Sequence, residues 1–134
     1  MKHPLTHLGC EVFHFVHLRW CVTRAHELLE VHESVAEFHE HAPLARLDNF
    51  LPLTSAADGF VKLVEFDVDV EYAMTKTDLS KPIIVVPLSV RGKPAGAIPI
   101  DGWHRIYRAL RDERESLPAY LLNSTAEEAI RIPR

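Results

Sequence analysis

The sequence predicts an α/β protein of the α+β kind: a compact mixed sheet with flanking helices, preceded by a strand-and-helix extension. Three observations carry this reading. Apolar residues alternate with a period of two in several short runs, they switch to helical spacing in others, and Pro/Gly-containing turns separate the runs. The chain has 134 residues, 47% of them hydrophobic and 25% charged, which is enough apolar side chain for one core and is the composition of an ordinary globular protein.

The elements follow in order. Over residues 11–22, Val12, Val16, Leu18, Trp20 and Val22 share one parity and Phe13 and Phe15 the other, which predicts a strand. From Thr23, an expected N-cap, Leu28, Val31, Val35 and Phe38 recur at helical spacing. Glu30, Glu33, Glu37 and Glu40 repeat that spacing on the opposite side. This predicts an amphipathic helix over roughly residues 24–41, stopped by Pro43. Residues 42–59 read as a connector, residues 63–70 alternate as a strand, and Glu71 to Lys81 is a short polar link. Pro82 to Val90, centred on Ile83-Ile84-Val85-Val86, predicts a buried strand, and Ala97 to Ile100 a short return strand. Trp103 to about Arg114 predicts a helix and Leu117 to Leu122 a last strand. A final helix is capped by Asn123-Ser124-Thr125, with Glu127 and Glu128 in its first turn. Residues 1–60 are read as an extension and 61–134 as a compact unit, a boundary that the family resemblance given below implies.

Two cysteines, Cys10 and Cys21, are too few for a disulfide framework, and they read as packing residues in a reducing, cytoplasmic compartment. No run approaches the length of a membrane span. The net charge of −4 argues against a protein that coats nucleic acid. That charge is unevenly placed: residues 91–134 carry eight Lys/Arg against six Asp/Glu, whereas residues 1–90 carry seven against thirteen. Eight of the nine histidines lie in residues 1–41, but their spacing builds no H-E-x-x-H pattern, and they read as surface or partly buried side chains.

The stretch that carries chemistry is Ile98-Pro99-Ile100-Asp101-Gly102-Trp103-His104-Arg105. A strand ends, Gly102 permits a tight turn, and a helix begins at once. A helix start presents backbone N–H groups and a partial positive charge, a natural seat for phosphate. His104 and Arg105 stand in its first turn as charge-assisted donors. Asp101 is placed to orient His104, to hold a metal-bound water or to accept a proton from a hydroxyl. Trp103 reads either as packing or as a surface for a base to stack on.

Asp101-Gly102-x-His104-Arg105, followed by Ala109 and then Leu117-Pro118-Ala119, resembles the nucleotide-binding segment of the ParB/sulfiredoxin superfamily. Pro82-Ile83-Ile84-Val85 resembles its Pro-Ile strand, and Leu122 to Thr125 the exit into its last helix, so the resemblance spans residues 61–132. It implies that Gly102, Trp103, His104 and Arg105 bind a nucleotide, ATP or ADP or else CTP, together with Mg2+. The Asp-Gly-x-His-Arg form is nearest to the free serine kinases, which implies a catalytic or metal-organising Asp101 and a small-molecule phosphoryl acceptor. Glu71 is the candidate general base from the link before the Pro-Ile strand. Sulfiredoxins carry a reactive Cys where this chain has Trp103, so sulfinic-acid reduction has no nucleophile here. Partition ParB proteins carry an Arg-Arg pair and continue into DNA-binding helices, which this sequence does not show. The expected function is a small nucleotide-binding protein of phosphoryl-transfer type. The alternatives are a non-catalytic ligand-sensing module, acting as a homodimer, and a nuclease.

Overall fold

The computed structural model describes residues 9–15, 18–44 and 70–133. Strands β1 (Val12–Phe15) and β2 (Leu18–Cys21) pair antiparallel and lead straight into helix α1 (Val22–Val31). A 3-10 turn at Glu33–Val35 precedes β3 (Ala36–Pro43). Then come α2 (Val70–Lys76), β4 (Ile83–Val90), β5 (Lys93–Asp101), α3 (Trp103–Arg111), β6 (Ser116–Leu122) and α4 (Ser124–Ile130). The main sheet has the order β3-β6-β4-β5. Its central pair, β4 and β6, is parallel, and the outer pairs are antiparallel. Parallel neighbours need a crossover; here β5 and α3 supply it. The fold is thus the mixed α+β arrangement expected. Among the described residues no helix is long and apolar enough to cross a membrane.

The second half follows its local signals. Ile83, Ile84 and Val86 of β4 are buried, with Ile98 and Ile100 of β5 beside them. Leu117 and Ala119 of β6 alternate inward, as period two requires, and Leu122 is buried at the strand's end. Asn123 caps α4, its side chain accepting from the Ala126 N–H at 2.8 Å. The core runs on into the first half of the chain, through Phe13, Trp20, Val22, Ala25 and Leu28.

The expectations for the first half need four corrections. The strand expected over residues 11–22 is a hairpin followed by a helix start. Its register sets Phe13 opposite Trp20, an odd offset that brings residues of opposite parity to one face. Both rings are buried, with centroids 6.3 Å apart, an arrangement a single strand could not give. The helix expected over residues 24–41 ends at Val31, because residues 36–43 add to the sheet beside β6. Its inward face is Val22, Ala25 and Leu28, whereas Val31 (72%) and Phe38 (52%) are the most exposed large apolar side chains among the described residues. The polar link at Glu71 to Lys81 contains a helix, α2. The strand expected over residues 63–70 falls almost wholly outside the described residues, as does most of the connector over 42–59.

The fourth correction concerns the cysteines. Cys10 and Cys21 are joined as a disulfide, with Cα atoms 5.6 Å apart, inside the span a bridge requires. Pairing of β1 with β2 carries Cys10 back towards the start of α1, so the two thiols meet although eleven positions separate them. The Cys21 sulfur also caps α1, accepting from the Arg24 N–H at 3.3 Å. Such bridges persist in oxidising surroundings, so a cysteine count of two no longer argues for a reducing compartment. Closing a loop of this size removes about 3 kcal/mol of unfolded-chain entropy. Reductant should therefore lower the denaturation midpoint of the wild type by a corresponding amount and leave Cys10→Ser unmoved. An identical midpoint with and without reductant would contradict the bridge.

Candidate functional site

The turn between β5 and α3 fixes the site. Gly102 is the N-cap of α3 with φ 97° and ψ 19°, a conformation glycine adopts without the penalty other residues meet. A Cβ there would overlap Ile83 Cγ2 and stand 3.0 Å from Ile83 Cβ. Helix α3 therefore begins in close contact with β4, the central strand, and the position of its first turn is set by the sheet. The Ile106 N–H bonds to the Gly102 carbonyl at 2.9 Å and opens the helical ladder. The positive end of the α3 dipole faces this turn.

Asp101 and Arg105 meet across the turn at 3.3 Å. Arg105 Nη1 also donates to the carbonyls of Lys81 (2.8 Å) and Pro82 (2.6 Å). With a side chain only 14% exposed, Arg105 ties α3 to the segment that enters β4. Asp101 does not orient His104, as the sequence suggested. Its carboxylate Oδ2 instead lies 2.8 Å from His26 Nε2, on α1. His104 packs edge-on against Tyr72 of α2, with ring centroids 5.3 Å apart.

These groups line one cleft of about 660 Å³ between α1, α2 and the α3 turn. Lys76, Lys81, His26, His104 and Arg105 supply its cationic or protonatable groups, and Glu11, Asp78 and Asp101 its carboxylates. Gly102 lines it as well. Trp103 does not: it is buried in the core at 2% exposure, stacked on Phe13 with centroids 6.0 Å apart. Glu71 is exposed on α2 and is not among the residues that line the cleft. The structure thus brings Asp101, Gly102, His104 and Arg105 together and leaves Trp103 and Glu71 outside.

Burial raises the pKa of Asp101. The His26 hydrogen bond, the charges of Arg105 and His26, and the Gly102 N–H outweigh it and hold the carboxyl below its ordinary 3.8. The hydrogen bond to Asp101 raises His26 above 6.5, against the opposing effects of burial and Arg105 and with help from Glu11. Linkage gives each sign. The raised His26 adds stability that is complete below pH 6.5 and fades as pH climbs through its folded value. The lowered Asp101 adds stability that is complete above pH 3.8 and fades as pH drops through its folded value. The stability gap between wild type and Asp101→Asn should be widest between these limits and should narrow on either side. Urea denaturation across that range checks this, and a gap independent of pH would refute the coupling.

Asp101 fits a divalent cation poorly, since its carboxylate already faces an imidazole and a guanidinium. Among the described residues no three His, Cys, Asp or Glu side chains gather closely enough to hold a metal ion. Sequence reasoning missed His26, Tyr72 and Lys76. No local pattern marks His26, because its partner lies 75 positions away. Compared with protein-family models, curated proteins and solved structures, the chain matches none.

Proposed function

We propose that the cleft at the start of α3 binds the phosphates of a nucleotide, in a protein of phosphoryl-transfer type. One observation carries the reading: a single cleft of about 660 Å³ gathers the Asp101-Gly102-His104-Arg105 turn with Lys76, Lys81 and His26. Lysine ammonium groups and imidazoles are charge-assisted donors to phosphoryl oxygens, and a helix dipole adds to their field. The resemblance of the turn to the ParB/sulfiredoxin superfamily, and within it to the free serine kinases, supports the same ligand.

The side chains divide the work. Lys76, Lys81 and His104 contact the phosphates, and Arg105 holds the turn in place through the Lys81 and Pro82 carbonyls. Asp101 orients His26. Mg2+, expected with ATP or ADP, would supply charge neutralisation for the phosphates, and Asp101, already held by His26 and Arg105, would not be its ligand. The acceptor is a small molecule.

Calorimetry with ATP, ADP and CTP, with and without Mg2+, tests the reading. Lys81→Ala and Lys76→Ala should each weaken binding about tenfold, the loss of one charge-assisted contact. Arg105→Ala is the poorer probe, because that side chain also holds the fold. No binding of any nucleotide to the wild type would end the proposal.

A further inference from the structure

Asp101 and His26 come from distant parts of the chain, and their contact constrains the chemistry of the imidazole. An ionised carboxylate only accepts hydrogen bonds, so the His26 Nε2, at 2.8 Å from Asp101 Oδ2, carries a hydrogen in both protonation states. The proton that His26 gains or loses therefore sits on Nδ1. The His26 side chain is 53% exposed and lines the cleft, so the imidazole is within reach of a ligand held there.

We propose that His26 is a proton-linked ligand for a phosphoryl group: Asp101 holds Nε2, and Nδ1–H is offered to the tetrahedral oxyanion of a phosphate ester. Protonated, Nδ1 donates to a phosphoryl oxygen and adds a positive charge. Neutral, it turns a lone pair towards the anion. Binding of the ester thus takes up one proton, and its affinity follows the charge of His26. The inference rests on the phosphate reading of the cleft and adds to it the group that makes the site respond to pH.

The other charges around His26 leave room for this role. Asp101 from β5, Arg105 from α3 and Glu11 from the segment before β1 act on it directly. Across the cleft stand Tyr72 and Lys76 of α2, Asp78 and Lys81 beyond it, and His104 of α3. On α1 itself, Glu27 is paired with Arg24 at 3.2 Å. Among the described residues the three carboxylates in the cleft are matched by Lys76, Lys81 and Arg105, so a proton on His26 adds to the positive side of that balance.

Sulfate is the probe, because it is tetrahedral and does not itself titrate near neutral pH. Its affinity for the wild type should fall by up to tenfold per pH unit once His26 begins to lose its proton, the slope for one linked proton. In His26→Gln the slope should fall while weaker binding persists, and in His104→Gln the larger part of it should remain. If His26→Gln does not fold, NMR titration of the wild-type imidazole replaces it, and sulfate should raise the His26 pKa. A wild-type affinity independent of pH, a slope undiminished in His26→Gln, or an unmoved His26 pKa would overturn the inference and leave the phosphate site standing. No binding of sulfate, phosphate or ADP at any pH would overturn both.

Discussion

Gly102→Ala should destabilise the protein by about 3 kcal/mol, a large loss for the addition of one methyl group. Two costs add. An L-residue at φ 97° carries a backbone penalty of about 1 to 2 kcal/mol. The new Cβ also collides with Ile83 Cγ2, in a side chain that is fully buried on the central strand, and overpacking of this kind costs about 1 to 3 kcal/mol. Neither partner can give easily, since β4 is hydrogen-bonded on both sides, to β5 and to β6. The two costs can be separated. In an Ile83→Ala background the Cγ2 overlap is gone and only the tight Cβ contact at 3.0 Å remains, so Gly102→Ala should there cost little beyond the backbone share. Urea denaturation of the four proteins in this cycle gives the coupling. An alanine variant as stable as the wild type would show that the α3 turn is not fixed by the sheet.

Glu127→Ala should cost about 2 to 3 kcal/mol, for a different reason. Glu127 is the one charged side chain buried among the described residues, at 5% exposure. Its Oε2 accepts from the Trp20 indole N–H at 2.9 Å and from Arg131 Nε at 2.7 Å, while Oε1 accepts from Arg131 Nη2. Removing the carboxylate leaves the Trp20 N–H, in a side chain 1% exposed, without its acceptor, a loss of about 1 to 3 kcal/mol. Arg131, at 41% exposure, regains water and adds little. Glu127→Gln keeps an acceptor for Trp20 and should recover most of the loss. Equal instability of the Ala and Gln variants would mean that the charge, rather than the indole contact, matters at this site.

The two halves of the chain differ in how far sequence alone describes them. From residue 82 onward the strands and helices form where local chemistry places them. The β-branched run Ile83 to Val86, the turn at Gly102 and the Asn123 cap each act within a few residues. Residues 36–43 behave otherwise. Glu37 and Glu40 continue a helical spacing begun at Glu30, yet pairing with β6, some eighty positions on, overrides that local preference. The hairpin at residues 12–21 was hidden for a related reason: one alternating run also describes two strands folded back on each other. The candidate site divides in the same way. Asp101, Gly102, His104 and Arg105 are legible because a strand end, a glycine and a helix start adjoin in sequence. His26 is not, because only the packing of α1 brings it to Asp101.

The pairing of β3 with β6 has a consequence for how the chain is made. During synthesis β3 emerges long before its partner, with 73 positions between Pro43 and Ser116 in the register. At roughly 5 to 20 residues per second, the strand waits on the order of 4 to 15 s with neither edge hydrogen-bonded in the main sheet. A waiting strand invites pairing with another chain, and charged side chains discourage it. Glu37 and Glu40, the residues that misdirect a helical reading, are well placed to keep a nascent chain apart from its neighbours until β6 arrives.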